Sequence, residues 1–289
     1  EAAQMQLTDV VFDMLDQGYN ADDQDIDGHT GLHWAASLGL ESLTQRLLTA
    51  GARQDLSNHR GEIPAHLAAK TNNLSVMRLL LASDAGAAHF SRDMDGFTPF
   101  LACAQNNGAP LLEWLYLQGA SVEERDGNGR TALMWACYKG HRRTVQWLLS
   151  RSACVAARDD DGMTALHWAA VRGQDAIAKM LLDVGAGPLL TSPDRSGDTP
   201  LLLAWRKRNI QLFLSFLKSA LLLRLIGRTR LTSNILACAF AAIALYNAVI
   251  FSALVAPKVW DRFPGLTASW PLLMLLAVVL WLRAVRSNP

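Results

Sequence analysis

A nine-residue phrase repeats along most of this chain and constrains its fold more than any other feature. The phrase reads Gly-Met-Thr-Ala-Leu-His-Trp-Ala-Ala from Gly162 and Gly-His-Thr-Gly-Leu-His-Trp-Ala-Ala from Gly28. Weaker copies begin at Gly61, Gly96, Gly129 and Gly197, so that successive copies are 33 or 35 residues apart. A fixed period of this length, with room for two short helices per copy, predicts a solenoid of stacked repeats.

The residue types within one copy predict a helix, a turn and a second helix. A threonine such as Thr164 can cap the first helix with its side-chain oxygen. The second helix carries paired leucines, for example Leu148-Leu149. One such pair of helices cannot bury its apolar face alone, so stacking has to supply the core. Between the helices the chain reverses, and a glycine is expected there in the left-handed conformation, at Gly39, Gly108, Gly140 and Gly173.

The full phrase resembles the ankyrin repeat: Thr-(Pro/Ala)-Leu-His-x-Ala-Ala, a glycine, then Leu-Leu-x-x-Gly-Ala. Six recognisable copies and a partial N-terminal one predict an all-α ankyrin-repeat solenoid over residues 1–220. In such a stack the first helix of each copy lines a concave face. The last copy departs from the phrase, because Trp205 to Arg208 replace its small residues and glycine.

The histidines and cysteines do not indicate catalysis or metal binding. His33, His66 and His167 share one slot of the phrase, which leucine or methionine fills elsewhere, so we interpret the slot as structural. The four cysteines have neither Cys-x-x-Cys spacing nor nearby histidine pairs, and no metal site is expected. A net charge of +1 gives no indication of nucleic-acid binding. Aspartates such as those at 159–161 are expected in solvated hairpin turns. Alternatively, they form an electronegative edge of the stack that selects basic peptides.

Tryptophans recur in a second slot of the phrase, at Trp34, Trp135 and Trp168. They would lie on the first helices of their copies and could form an aromatic groove for an extended peptide. Packing between repeats is the alternative interpretation. Asn106 and Tyr138, near the ends of neighbouring first helices, would add polar contacts. These five residues are the predicted peptide-binding site.

The C-terminal quarter has the composition of a membrane hairpin. Residues 235–256 are 22 residues without a charge, which as a helix span about 33 Å, enough for a hydrocarbon core of roughly 30 Å. Residues 266–282 form a shorter uncharged stretch with Trp270 and Trp281 near its ends. These two segments are predicted transmembrane helices, flanked by a basic connector at 221–234, a short connector at 257–265 and a cytosolic tail at 283–289.

The distribution of basic residues predicts the orientation of this hairpin. Lysine and arginine are concentrated before the first span and after the second, at Lys218, Arg224, Arg228, Arg230, Arg283 and Arg286. The positive-inside rule then places the ankyrin stack and the C-terminus in the cytosol of an integral membrane protein.

The whole arrangement is similar to the ankyrin-containing Asp-His-His-Cys (DHHC-type) palmitoyltransferases. The run from Thr131 to Tyr138, followed one repeat later by Thr164 to Ala169, resembles the corresponding tandem of that family. The tail from Leu282 to Pro289 resembles the stretch that leads to its Asp-Pro-Gly motif, with asparagine in place of aspartate. The resemblance implies a stack that recruits protein substrates as short extended peptides, with Trp135 in the peptide-binding slot and Asn106 as its polar partner. It also suggests the Golgi or another endomembrane.

The family's acyl-transfer chemistry has no counterpart in these 289 residues. That chemistry uses acyl-CoA and a zinc-stabilised cysteine-rich loop, which we expect in a domain beyond an interrupted C-terminus, so no catalytic residue is assigned. The family also generally carries four spans before that loop, where this chain offers two. The predicted function is therefore a substrate-recruiting module and membrane anchor of a protein S-palmitoyltransferase. The alternative is a non-enzymatic, membrane-tethered ankyrin adaptor for protein–protein interaction.

Overall fold

A computed structural model describes residues 10–13, 17–82 and 91–225, with side chains described as far as Ala220. The chain divides into two compact units, Glu1–Ser219 and Ala220–Pro289. No helix among the described residues combines the length and the apolar character that a bilayer crossing requires.

Both predicted membrane segments, 235–256 and 266–282, lie outside the described residues, as do the connector from 226 and the tail.

The first unit is an all-α stack of two-helix repeats that follows a helical turn at 10–13. Odd-numbered helices are the inner helices, and each packs against the inner helix of the next repeat; even-numbered helices are the outer ones. In chain order the helices are α1 (Gly31–Leu38), α2 (Glu41–Thr49), α3 (Pro64–Lys70), α4 (Leu74–Leu80), α5 (Pro99–Gln105), α6 (Ala109–Leu117), α7 (Ala132–Lys139), α8 (Arg142–Ser150), α9 (Ala165–Arg172), α10 (Asp175–Leu181), α11 (Pro200–Arg206) and α12 (Ile210–Leu225).

The inner helices begin at the threonine of the phrase. The Oγ1 atom of Thr131 accepts the backbone N–H of Met134 at 3.4 Å, and Thr98 and Thr199 make the equivalent bond. The small residues that follow, such as Ala136 and Ala169, have no exposed surface, because neighbouring inner helices meet there. One member of each leucine pair, for example Leu148, is equally buried on the outer helix.

Two histidines of the repeated slot join their repeat to the next one. The ring Nδ1 of His33 accepts the backbone N–H of Thr30 at 3.0 Å. The ring proton therefore lies on Nε2, which donates to the carbonyl oxygen of Glu62 in the following repeat at 2.9 Å. His66 repeats this arrangement with the carbonyl of Phe97 at 2.9 Å. The slot is structural, as the sequence predicts.

The hairpin turns between repeats are linked by two ladders of hydrogen bonds. In the backbone ladder, Gly127 N–H donates to the Asp95 carbonyl at 2.8 Å, and equivalent bonds recur in successive turns. In the side-chain ladder, Nη1 of Arg125 donates to the carbonyl of Arg158 in the next turn at 2.8 Å. Arg92 and Arg158 occupy the same position and reach the next turn in the same way. This arginine ladder was not predicted from the sequence.

The reversal between the helices is left-handed in every repeat, but the expected glycine at 108 is not the residue that adopts it. The left-handed residue lies nine positions after the residue that caps the inner helix. In the fourth repeat this residue is Gly140, with φ 86°. In the third repeat it is Asn107, with φ 62°, whereas Gly108 has φ −87°. Gly108 is required for space instead, since an added Cβ would lie 2.3 Å from the Cys103 sulfur. Asn72 and Arg208 take the left-handed position in the second and sixth repeats.

The two additional residues of the fifth repeat are accommodated after its outer helix. There the chain bends over Leu182–Ala186, where Gly185 interrupts the helical backbone, and forms one 3₁₀ turn, Gly187–Thr191, before the next hairpin. Gly185 supplies the positive φ of 100° that this bend requires. The spacing of 35 therefore changes a loop and leaves the stacking of the inner helices intact.

Candidate functional site

Each tryptophan of the repeated slot is fixed by an aspartate nine residues before it. The indole Nε1 of Trp135 donates to Oδ2 of Asp126 at 2.9 Å, and the bonds of Trp34 to Asp25 and of Trp168 to Asp159 measure 3.0 and 2.9 Å. The other carboxylate oxygen holds the turn: Oδ1 of Asp126 accepts two backbone N–H groups, both at 2.9 Å. The indoles are thus part of the hairpin framework as well as of the surface.

Two of these indoles meet through Tyr138. The Tyr138 ring stands edge-on to Trp135, with centroids 6.0 Å apart, and to Trp168, with centroids 5.3 Å apart. Phe97 of the preceding turn also packs against Trp135, with ring centroids 5.3 Å apart. Edge-to-face contacts at these separations are favourable and hold the rings in fixed orientations. All three rings of the Trp135–Tyr138–Trp168 group are half-buried, so each retains a surface that a ligand can contact.

Arg130 completes the group. Its guanidinium lies over both indoles, 5.3 Å from the Trp135 centroid and 5.0 Å from the Trp168 centroid. These are cation–π distances, which stabilise a positive charge without a carboxylate partner. Its Nε atom is buried and has no hydrogen-bond partner among the described groups. With Met134, these four residues line an open cleft of about 200 Å³, which we call the aromatic cleft.

A second guanidinium borders the aromatic cleft. Arg172, at the end of α9, lies 5.0 Å from the ring centroid of Tyr138 and is exposed. The two turn carboxylates that hold the indoles, Asp126 and Asp159, already accept the indole N–H groups and the backbone of their own turns. The cleft therefore combines apolar ring surface with cations at its edge.

The structure brings together three of the five residues predicted from the sequence. Trp135, Tyr138 and Trp168 line one cleft, whereas Trp34 and Asn106 do not line it. Trp34 lies on α1, with α3 and α5 between it and the cleft, and its indole packs on His29 at 5.3 Å. Asn106 is exposed at the end of α5, where its amide donates to the carbonyl of Ala102 at 2.8 Å.

Sequence reasoning missed Arg130, although the repeat contains a signal for it. In three repeats the residue directly after the turn glycine lies beside a tryptophan of the slot: His29 packs on Trp34, and Phe97 and Arg130 pack on Trp135. This position varies from repeat to repeat. The neighbouring positions of the phrase change much less between repeats. A side chain at this variable position can therefore determine which ligand a given pair of repeats prefers.

Neither the two buried cysteines nor the acidic turn at Asp25 provides a reactive centre among the described residues. Burial raises the pKa of Cys103 and Cys137 well above the usual value, which keeps both thiols protonated and unreactive. Asp25, Asp27 and His29 bring one potential ligand atom each within 4.8 Å of one another. However, both oxygens of Asp25 are already engaged by Trp34 and the turn backbone, so this exposed group is explained as a turn.

Comparison with known proteins agrees with this architecture. Residues 1–93 and 100–192 match the family model of ankyrin repeats in three copies. Rabankyrin-5 of Mus musculus is 44% identical over 86 residues, which is 29% of this chain and 7% of that protein. The tyrosine-protein kinase Shark of Drosophila melanogaster is 33% identical over 113 residues, 38% of this chain and 12% of that kinase. The neurogenic locus Notch protein of the same species is 33% identical over 97 residues, 33% of this chain and 4% of that protein.

This chain thus spans at most 12% of the length of these three relatives, and none of them is named as a palmitoyltransferase. The family model, in contrast, matches well over half of the chain. Ankyrin repeats generally bind proteins. The chain belongs to the ankyrin-repeat family.

Proposed function

We propose that the ankyrin stack binds a short extended segment of a protein partner in the aromatic cleft between α7 and α9. The observation that carries this proposal is the cleft itself: three half-buried rings and a guanidinium without a described carboxylate partner converge on it. Interfaces concentrate their binding energy in a few aromatic and arginine residues of this kind.

The hydrogen bonds beneath the rings support the proposal. Trp135 and Trp168 are fixed through Asp126 and Asp159, and Tyr138 is held edge-on between them. Rings that are already immobile lose little conformational entropy when a ligand binds, so that more of the contact energy contributes to affinity. The indole N–H groups are occupied, and hence the rings offer apolar faces to the partner.

Replacement of Tyr138 tests this site with little disturbance of the framework. Unlike Trp135, Tyr138 has no described side-chain hydrogen bond to the hairpin, so Tyr138→Ala removes ring surface and leaves the turn bonds in place. A linear peptide selected by phage display on the full chain in non-ionic detergent provides the ligand. We expect Tyr138→Ala to weaken its binding by about 2 kcal/mol or more in calorimetry.

Tyr116→Ala is the matched control, because Tyr116 lies on outer helix α6, packed against Trp147. The control should bind the peptide like the wild type, and both variants should keep the wild-type circular dichroism. Equal loss of affinity in the two variants, or no loss in Tyr138→Ala, would remove the aromatic cleft from peptide binding.

We propose further that this peptide site recruits substrates for protein S-palmitoylation on the cytosolic side of an endomembrane. Two features of the sequence support this role: the tandem of Thr131–Tyr138 and Thr164–Ala169, which resembles the ankyrin-containing DHHC-type enzymes, and the uncharged segments 235–256 and 266–282, which have the composition of a membrane hairpin. Acyl transfer itself would be done by a domain outside these residues.

The coding sequence and the membrane association test this wider role separately. A reading frame that continues past Pro289 into a cysteine- and histidine-rich segment supports the acyltransferase, and a stop codon there favours the membrane-tethered adaptor. Alkaline carbonate extraction tests the hairpin: we expect the chain in the membrane pellet, and recovery in the supernatant would contradict both the anchor and the adaptor in its tethered form.

A further inference from the structure

A row of cations follows the ends of the last three inner helices. Lys139 ends α7, Arg172 ends α9 and Lys207 caps α11, so that the three occupy equivalent positions in consecutive repeats. All three are exposed, and none has an ion pair in the described part of the chain. The equivalent residues of the first three repeats, Leu38, Thr71 and Asn106, are uncharged. We call Lys139, Arg172 and Lys207 the basic row.

Compensation of the helix dipole does not account for the basic row. A cation at the C-terminal end of a helix offsets the partial negative charge there. However, α1 and α5 are inner helices of similar length, and their last turns contain no basic residue. Lys70, at the end of α3, is paired with Glu62. The stack therefore tolerates uncharged ends, and the unpaired cations of the fourth, fifth and sixth repeats need another explanation.

The basic row lies directly beside the aromatic cleft. Arg172 stacks on Tyr138, which lines the cleft, and Lys139 follows Tyr138 in the chain. The carboxylates of this region, Asp126 and Asp159, hold the indoles from the turn side. The face is thus polarised, with engaged carboxylates at the turns, rings in the middle and unpaired cations at the helix ends.

Packing distances decide which conformation of an acidic segment would match this row. Neighbouring packed helices are about 8–10 Å apart, so consecutive cations recur at about that spacing. A polyproline II segment rises about 3.1 Å per residue with three residues per turn, and every third side chain therefore points the same way about 9 Å further on. In a β-strand, by contrast, side chains three apart point to opposite faces.

We infer that the partner segment is acidic and adopts a polyproline II conformation, with a carboxylate at every third position facing the basic row while an apolar side chain occupies the aromatic cleft. This inference rests on the proposed peptide site and adds the charge and the spacing of its ligand.

Two fluorescein-labelled peptides of equal composition test the spacing on the full chain in non-ionic detergent. Both are ten-residue alanine and serine peptides with phenylalanine at position 5; one carries glutamate at positions 1, 4 and 7, the other at 1, 2 and 3. By fluorescence anisotropy we expect the spaced peptide to bind at least fivefold more tightly at low salt. Its affinity should fall on addition of NaCl, because exposed charges are screened.

Charge variants identify the cations responsible. The triple variant Lys139→Gln, Arg172→Gln, Lys207→Gln should bind the spaced peptide at least tenfold more weakly. The matched control removes three exposed cations from outer helices, Arg78→Gln, Arg143→Gln and Lys179→Gln. It has the same net charge as the test variant and should change the affinity less than twofold.

The outcomes separate this inference from the function on which it rests. Equal binding of the two peptides, or equal loss in the two triple variants, overturns it. If Tyr138→Ala abolishes binding while the basic-row variant does not, the peptide site stands and the acidic ligand is wrong. If neither peptide binds, while vesicles with phosphatidylserine bind in a manner that depends on the basic row, the row serves an anionic lipid surface and the inference is also wrong.

Discussion

Single side chains connect the repeats of this stack, and the buried histidines show how. His33 and His66 each accept a backbone N–H on Nδ1 and donate from Nε2 to a carbonyl of the next repeat. Both bonds need the neutral ring, because a protonated Nδ1 would face another donor. Burial accordingly lowers the pKa of His33, His66 and His167 below the usual value for histidine.

These histidines should make the stability of the stack depend on pH. Their folded-state pKa lies below the unfolded value of about 6.5, so the unfolded chain binds more protons below that pH. Their contribution is therefore fully present above pH 6.5 and is lost as the pH falls through this value. In urea titrations of the full chain in detergent, the free energy of unfolding should be lower at pH 5.5 than at pH 7.5.

A triple variant isolates this effect. Methionine naturally fills the slot in the fourth repeat, where the Met134 sulfur lies 3.5 Å from the Thr131 nitrogen. Replacement of His33, His66 and His167 by methionine should flatten the pH dependence between 5.5 and 7.5, whereas replacement of the exposed His59 by glutamine should not. An unchanged slope in the triple variant would assign the dependence to other groups.

The tryptophan slot shows how far residue patterns predict the site. The repeat places Trp135 and Trp168 at the same position of neighbouring inner helices. The repeat length alone therefore predicts that the two indoles lie side by side on one face of the stack. Arg130 could not be assigned in the same way, since its position between two rings depends on the packing of adjacent repeats. Asn106 is the expected polar partner of Trp135, but its amide bonds to the Ala102 carbonyl of its own helix, and it does not line the cleft.

Among the structural elements, the turn between the two helices of a repeat is where a substitution should raise stability most clearly, because its central residue is left-handed. Gly39, Gly140 and Gly173 adopt this conformation with little strain, but Arg208 adopts it with φ 57° in the sixth repeat. A side chain with a Cβ in this conformation costs roughly 1–2 kcal/mol. The sequence showed that the sixth copy departs from the phrase, yet it did not show that the backbone keeps the same turn.

Arg208→Gly should therefore stabilise the stack by about 1 kcal/mol in urea titration, because it relieves the strain at an exposed position. The reciprocal variant Gly140→Arg should destabilise it by at least as much, since a Cβ there would also lie 2.6 Å from the Gln174 amide nitrogen. A loss of stability in Arg208→Gly would mean that the arginine makes contacts worth more than the strain.

The arginine ladder is a second property of the elements. Arg125 donates to the carbonyl of Gly129 in its own turn at 3.1 Å and to that of Arg158 in the next turn at 2.8 Å. In a stack where each repeat contacts only its neighbours, such bonds contribute to the coupling between repeats. Arginines 33 residues apart are visible in the sequence, but their direction toward the next turn is not.

Arg125→Met should remove both bonds and lower the free energy of unfolding by about 1 kcal/mol. It should also broaden the urea transition, because the repeats on its two sides become less coupled. Arg143→Met, on the surface of α8, is the control and should leave midpoint and slope unchanged. If the two variants behave alike, the ladder contributes nothing beyond a surface charge.

For the whole molecule, the repeat phrase predicts the all-α stack, and the ankyrin family model confirms it. The repeat pattern does not predict how the individual repeats differ on their surfaces. In the first three repeats the positions equivalent to the basic row are uncharged, whereas the last three carry the basic row, beside the aromatic cleft of the fourth and fifth repeats. Function is therefore expected on one part of a scaffold that is otherwise uniform.

Photo-crosslinking tests this localisation most directly. The selected peptide, carrying a benzophenone in place of its central apolar residue, is bound to the full chain in detergent, irradiated, and mapped after trypsin digestion. If the aromatic cleft is the peptide site, the label will be found in the fragments 131–139 and 159–172, which contain Trp135, Tyr138 and Trp168. Labelling of fragment 144–151, on outer helix α8, with those two fragments unlabelled, would contradict it.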